Sequence, residues 1–205
     1  MRNGVMGTKR IFTFTLAAIA ACTVAGAPAR AQMTEVERLQ QCDRDLCGIA
    51  LNPKEPGSAL QCELTKTWYK EEINTAWSKK RISWPFGDAQ CSVKLDVDRV
   101  LLAGALTSKQ YTLKAPTQSV NCEVDREGTR YPLAVTLTPH VEFKDGKATS
   151  VSLNVAKIEA NAVIKSVVWT ASKMEANFGL FQKDFLKGIN DYVSEYCRKT
   201  YGKPM

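Results

Sequence analysis

The sequence predicts an α+β fold in which an antiparallel β-sheet of about five strands is packed by N-terminal helices and by a long C-terminal helix. Three observations predict it. Apolar residues recur at helical spacing near both ends of the chain, and they alternate with polar residues in the middle. In addition, six cysteines between positions 42 and 197 are candidates for disulfide bonds.

Two capping signals predict helices ahead of the strands. Thr34 and Glu37 form a T-x-x-E capping box, which predicts a helix from Thr34 to Cys47. The segment LNPKEPGS then predicts a loop because it holds two prolines and a glycine. Ser58 and Gln61 repeat the capping signature, so we expect a second amphipathic helix whose two tryptophans are buried. Its apolar stripe is Leu60, Leu64, Trp68, Ile73 and Trp77.

The central part of the chain changes to a period of two after Gly87. The segment CSVKLDV alternates apolar and polar residues and predicts a strand with one solvated face. VLLAGAL fits either a buried strand or a short helix. Further alternation occurs in YTL, VNCEV, LAVTL, VEF and VSLNV. Asp145-Gly146 lies between the last two segments and is a strong signal for a β-hairpin.

Helical spacing returns beyond Val155. Val163, Val167, Ala171 and Met174 share one helical face, and a second apolar set follows residues 177–179. That set is Phe181, Phe185, Ile189, Tyr192 and Tyr196. We expect this last helix to lay its aromatic residues on the sheet, with Cys197 holding its end.

The first 31 residues have the layout of a secretory signal peptide. Three cations precede the apolar run IFTFTLAAIAACTVAG, and Ala29-Arg30-Ala31 fits the small-x-small site that a signal peptidase cleaves before Gln32. A retained membrane anchor is the alternative, but the run is shorter than the roughly 20 residues that span a bilayer. A second alternative is a lipoprotein, because Ile19-Ala20-Ala21-Cys22 resembles a lipobox and would place a lipid on Cys22. We expect cleavage, a single domain over residues 32–205 without a transmembrane span, and a periplasmic or secreted location.

Removing this leader also removes most of the positive charge. The chain has 28 basic and 21 acidic residues, and four of the basic ones lie in the leader, so the net charge falls from +7 to +3. A nucleic-acid-binding surface needs basic side chains gathered on one face. The densest remaining cluster, Lys79-Lys80-Arg81, has three members, so the composition argues against nucleic acid as a partner.

The segment CDRDLC, from Cys42 to Cys47, could be a redox centre, a metal site or part of a disulfide framework. Redox motifs place two residues between the thiols, whereas four separate these. Zinc sites need further close cysteine or histidine pairs, and the chain has one histidine, His140. An EF-hand loop starting at Asp43 would place Lys54 where a bidentate glutamate belongs. We therefore expect no metal and no cofactor, and three disulfide bonds, as is usual in exported chains.

Cys42 and Cys47 would point about 140° apart on a helix, so we expect them to bond to different partners. Six cysteines allow 15 pairings, and the sequence does not choose among them. The predicted elements favour Cys91 with Cys122, Cys47 with Cys62, and Cys42 with Cys197.

Signals for catalysis are weak. His140 follows a proline, and no G-x-S-x-G motif or phosphate-binding loop occurs in the chain. Oxidised cysteines supply no thiolate nucleophile. A hydrolase needs only two carboxylates, which can be distant in sequence, so a carboxylate-dependent hydrolase of a cell-envelope polymer stays as the alternative function. The eligible acids are Glu63, Glu71, Glu72, Asp88 and Glu142.

The segment KKRISWPFGDAQC, residues 79–91, is the strongest candidate for binding. It has neither helical nor strand periodicity, and it combines cations with aromatic side chains. The candidate residues are Lys79, Lys80, Arg81, Trp84 and Phe86. The alternative is that the aromatic side chains close the end of the core. We therefore hypothesise an exported, disulfide-stabilised, non-catalytic envelope protein that binds a protein or glycan partner, through this loop and the adjoining sheet.

Overall fold

A computed structural model describes residues 33–78, 82–179 and 181–202. The predicted leader and Lys79 to Arg81 lie outside these residues. The α+β class and the antiparallel sheet are confirmed.

The described chain forms helices around two antiparallel sheets. The helices are α1 (Glu35–Leu51), α2 (Lys70–Ser78), α3 (Arg99–Thr107), α4 (Ala162–Phe178), α5 (Gln182–Asp191) and α6 (Cys197–Tyr201), with a π-helical turn, Tyr192–Tyr196, between the last two. The strands are β1 (Leu60–Trp68), β2 (Ala89–Val97), β3 (Gln110–Lys114), β4 (Gln118–Arg126), β5 (Thr129–Leu137), β6 (His140–Lys144), β7 (Lys147–Ser152) and β8 (Val155–Ala160). The larger sheet has the order β1-β2-β4-β5-β8, and the smaller has the order β3-β6-β7.

Helix α1 begins as the sequence predicts. The Thr34 hydroxyl accepts a hydrogen bond from the Glu37 backbone N–H, and the Glu37 carboxylate accepts one from the Thr34 N–H at 2.7 Å. This reciprocal pair satisfies two N–H groups that the first helical turn leaves unpaired. The helix runs beyond Cys47 to Leu51, four residues further than predicted.

The prediction of a second helix is wrong for the first half of that segment. Residues 60–68 form strand β1, which pairs with β2 along its whole length, and only residues 70–78 are helical. Leu60, Cys62 and Leu64 turn toward α1, where they belong to one buried cluster. Trp68 is 47% exposed, so it is not the predicted buried anchor, whereas Trp77 packs against the main core.

The ambiguous segment VLLAGAL is helical and lies in α3, which Asp98 caps by accepting a hydrogen bond from the Val100 N–H at 2.8 Å. The hairpin predicted at Asp145-Gly146 joins β6 to β7. Both turn residues have positive φ, 49° and 74°. A side chain on Gly146 would also meet the Leu106 carbonyl oxygen at 2.8 Å, so this position needs glycine.

Strand β8, like β1, was not predicted as a strand. The segment VSLNV is not continuous, because β7 ends at Ser152 and Asn154 takes a left-handed φ of 46°. Strand β8 then pairs with β5 at the end of the larger sheet, and α4 follows directly.

The buried side chains form three clusters. The main core joins the larger sheet to α2, α4 and the segment with Trp84 and Phe86. A second cluster lies between the smaller sheet, α3 and α5, and a third lies between α1 and β1.

Three disulfide bonds hold the described chain, so the disulfide prediction is confirmed. Cys91 pairs with Cys122 across β2 and β4, as predicted. The other two predicted pairings are wrong, because Cys42 bonds to Cys62 and Cys47 bonds to Cys197. The bonds do connect Cys42 and Cys47 to different partners.

The partners of Cys42 and Cys47 differ from the prediction because of the direction in which α1 runs along β1. Glu35, at the start of the helix, bonds to Thr67 near the end of the strand, and Cys42 lies opposite Cys62. Cys47 lies further along the helix, near the start of the strand, where α6 meets α1. Within the described residues, no helix is both long and apolar enough to cross a bilayer.

Candidate functional site

The predicted binding loop does not present its aromatic side chains to solvent. Trp84 and Phe86 are 5% and 3% exposed, and both belong to the main core. The Trp84 indole N–H donates a hydrogen bond to the Gly87 carbonyl at 2.8 Å, and its ring packs edge-on against Phe86. The three predicted cations lie outside the described residues. These two aromatic residues therefore close the core, which was the alternative interpretation.

The candidate acids lie on the surface of α2 and of the strands. The carboxylate of Glu63 is ion-paired with Lys94 at 2.7 Å. Asp88 accepts the Lys70 N–H at 2.9 Å. The carboxylates of these two residues are thus engaged in local structure. The three other acids are also exposed: Glu71, Glu72 and Glu142.

Two further acids, which the sequence analysis did not select, share an open depression of about 680 Å³ on the outer face of the larger sheet. They are Glu123 on β4 and Glu159 on β8, with β5 between them. Strands lie about 4.8 Å apart, and the two residues are offset by two positions along β5, so their backbones lie roughly 12 Å apart. A glycosidase needs one carboxyl group kept protonated by an apolar, enclosed environment. This depression is open and encloses neither side chain, and Glu159 is ion-paired with Lys157 at 2.9 Å.

The most distinctive concave site is an apolar cleft of about 490 Å³ between α1, α3, α5 and the smaller sheet. Leu46 and Ile49 line it from α1, Leu102 and Leu106 from α3, and Phe185 from α5. Asp184 is the one charged residue among those that line it. The volume lies within the range of about 300–1,000 Å³ that is typical of ligand pockets.

Sequence reasoning missed this cleft although its parts were visible. Leu46, Ile49 and Ala50 lie at helical spacing in α1, and Leu102, Ala105 and Leu106 lie at helical spacing in α3. Such spacing shows that a helix has an apolar face. It does not show that two faces stop short of each other and leave a space.

A cluster of tyrosines around Asp43 adjoins the cleft, because Tyr192 belongs to both. The Tyr192 hydroxyl donates to the Asp43 carboxylate at 2.5 Å, the Tyr196 hydroxyl at 2.7 Å and the Tyr201 hydroxyl at 2.9 Å. The rings of Tyr192 and Tyr196 stack with centroids 5.3 Å apart. The carboxylate on α1 therefore orients three aromatic residues of the C-terminal segment beside the Cys47–Cys197 bond.

The hydrogen bonds of this cluster shift the pKa of Asp43 and the pKa values of the three tyrosines in opposite directions. Burial by itself would raise the pKa of Asp43, but the three hydroxyl donors lower that pKa below its ordinary value. Burial and the bond to Asp43 raise the pKa of Tyr192, and they raise the pKa of Tyr201 to about 12. The bond to Asp43, followed by partial burial, raises the pKa of Tyr196. The cluster is thus stable with an ionised carboxylate and neutral phenols.

We expect Tyr192→Phe to lower the free energy of unfolding by about 1 kcal/mol, because a hydrogen bond to a charged but partly solvated acceptor is lost. The lowered pKa of Asp43 contributes stability that is lost as pH falls below about 4, and the raised tyrosine pKa values contribute stability that is lost as pH rises above about 10. Urea unfolding of both proteins from pH 2.5 to 11 should therefore show a difference that is flat between about pH 5 and 9 and shrinks at both ends. A difference independent of pH would contradict this role, and Tyr69→Phe, at an exposed tyrosine, is the control.

None of the remaining sequence candidates lines the cleft. His140 begins β6 and pairs with Lys114 and Ser152 in the smaller sheet. Cys42 and Cys47 lie in a helix and are oxidised, so CDRDLC belongs to the disulfide framework. In the described parts of the chain, no group of three or more histidine, cysteine or acidic residues is placed to hold a metal ion.

The arrangement that emerges is an apolar cleft on a disulfide-held frame, with an oriented tyrosine cluster at one side. No protein-family model matches this chain, and no curated protein or solved structure matches it significantly.

Proposed function

We propose that this chain is an exported, non-catalytic binding protein of the cell envelope whose apolar cleft receives apolar side chains of a protein partner. The observation that carries the proposal is the cleft itself, which is lined almost wholly by apolar side chains. One of its walls, α1, is tied to β1 and α6 by disulfide bonds. Three disulfide bonds are typical of proteins that fold in an oxidising compartment, which supports a periplasmic or secreted location.

The lining also favours one class of partner over another. A glycan presents hydroxyl groups, and burying these groups without hydrogen bonds is costly. Aliphatic and aromatic side chains gain free energy when they leave water for such a surface, at about 25 cal/mol per Å². A protein segment therefore suits this cleft better than a glycan, which would need the polar outer face of the larger sheet.

Occupancy of the cleft can be tested with 1-anilinonaphthalene-8-sulfonate, an anionic dye whose aromatic rings bind apolar surfaces. We expect the native protein to bind the dye and Phe185→Asp to bind it at least about fivefold more weakly, because a charge at the cleft is costly to desolvate. Tyr69→Asp changes another exposed aromatic residue, far from the cleft in sequence, and should bind like the native protein. Urea unfolding of both variants checks that each is folded. Equal dye binding by all three proteins would contradict the role of the cleft.

The partner class can be tested in cells that export the protein. A photo-crosslinking phenylalanine analogue at position 185 should form a protein adduct, and the same analogue at position 69 should not. Mass spectrometry of the adduct should find apolar residues of the partner at the crosslink. An adduct with a glycan, or equal adducts from both positions, would be evidence against the proposal.

A further inference from the structure

In the part of the chain that the structure describes, strand β8 has an unpaired outer edge, unlike the edge strands β1 and β7. On β1, the Glu35 carboxylate accepts the Thr67 N–H at 2.8 Å. On β7, the side-chain amide of Asn190 bonds to both the N–H and the C=O of Ala148, each at 2.9 Å. Among the residues that the structure describes, no side chain or strand covers the outer edge of β8 in this way. An uncovered edge is a template for pairing with another strand.

The sequence of β8 is complementary to itself in antiparallel pairing. If two copies of the strand Val155–Ala160 pair about a two-fold axis at Ile158, Lys157 of each copy lies opposite Glu159 of the other. Opposite charges directly across an antiparallel pair are stabilising. Within one chain, Lys157 and Glu159 already form an ion pair at 2.9 Å on the solvated face of the sheet. Both charges therefore lie on the face that would continue into the sheet of the second copy.

Helix α4 supplies a matching surface beside this edge. A groove of about 560 Å³ lies between β8 and α4, and Ala162, Lys165, Ser166 and Trp169 line it from the helix. Two of these side chains are small, which leaves room for an approaching backbone, and Trp169 is 44% exposed. Burial of a large aromatic ring at the centre of an interface is a common source of affinity.

From these observations we propose that two copies of this chain associate through β8, joining their five-stranded sheets into one continuous sheet of ten strands. The interface is isologous, since the same strand and the same helix face contribute from both copies. Two reciprocal Lys157–Glu159 pairs set the register, and Trp169 of each copy packs against the other. A strand of six residues gives a small interface, so we expect a dimer that dissociates on dilution.

Sedimentation equilibrium of the mature protein at several concentrations tests this directly. The native protein should form a concentration-dependent dimer. In the Lys157→Glu variant, the new glutamate of each copy lies opposite Glu159 of the other copy. This repulsion, which occurs at both ends of the interface, should raise the dissociation constant by about tenfold or more. The double variant Lys157→Glu/Glu159→Lys restores opposite charges in the same register and should recover the dimer. Trp169→Ser should weaken the dimer without changing the charges.

The matched control is Lys94→Glu, which makes the same change at the exposed Lys94–Glu63 pair on β2 and β1. It should leave the dimer unchanged, and urea unfolding should show that every variant is folded. A native protein that is monomeric at all concentrations would overturn the proposal, and Lys157 would then be a charge that protects the edge from pairing. A dimer that Lys94→Glu weakens as much as Lys157→Glu, or that the double variant fails to restore, would also overturn it.

Discussion

Replacing both Cys47 and Cys197 by alanine is expected to lower the free energy of unfolding by about 5 kcal/mol. The bond joins residues 150 positions apart, and a crosslink that closes a longer loop removes more conformational freedom from the unfolded chain. Both cysteines are fully buried, so the bond also holds α1 against α6 in the core. A loss of this size is a large part of the stability of an ordinary domain.

The stability cost of removing each of the other two disulfide bonds is the internal comparison. Removing Cys42–Cys62, with a separation of 20, should cost about 3 kcal/mol, and removing Cys91–Cys122, with a separation of 31, should cost between the two. Urea unfolding of the three double-alanine variants gives the order. If removal of Cys47–Cys197 cost no more than removal of Cys42–Cys62, loop closure would not be the main source of its effect.

Trp84→Ala is expected to lower the free energy of unfolding by about 3–5 kcal/mol, which is the usual cost of removing a buried aromatic side chain. Trp84 packs edge-on against both Trp77 and Phe86, with ring centroids 5.3 and 4.9 Å away. Removing the indole N–H would also leave the Gly87 carbonyl without that hydrogen-bond donor.

Trp68→Ala is the matched control because it removes the same side chain from an exposed position. Its ring is 47% exposed and lies under the Lys66 ammonium group, 5.5 Å from the ring centroid. We expect a loss below about 1 kcal/mol. Thermal and urea unfolding measure both variants. A Trp84→Ala protein with native stability would return this residue to the list of surface candidates for binding.

Much of the fold was predictable because its signals are local. The capping box at Thr34 and Glu37 satisfies backbone groups within one turn, and Asp145-Gly146 takes the backbone conformation that a tight hairpin needs. The alternation in β2 and β4 follows from one solvated face on each strand. Each of these patterns depends on residues within a few positions of one another.

The error over residues 60–68 shows where such patterns are ambiguous. Leu60, Leu64 and Trp68 are four residues apart, a spacing that fits one face of a helix and also one face of a strand. Cys62 lies two residues from Leu60 and from Leu64, a spacing that fits the same face of a strand but not of a helix, so it could have indicated the strand. The competing capping signature at Ser58 favoured the helix.

The sequence alone determined several local elements, such as the start of α1 and the β6–β7 hairpin, the expectation that six cysteines are oxidised, and the separation of Cys42 and Cys47 onto different partners. Only the tertiary structure decided which partners those are, that Trp84 is buried while Trp68 is not, and that an apolar cleft remains between α1, α3 and α5. Local patterns depend on contacts between neighbours in the chain. Disulfide pairing, burial and clefts depend on which distant surfaces meet, and periodicity carries no information about that.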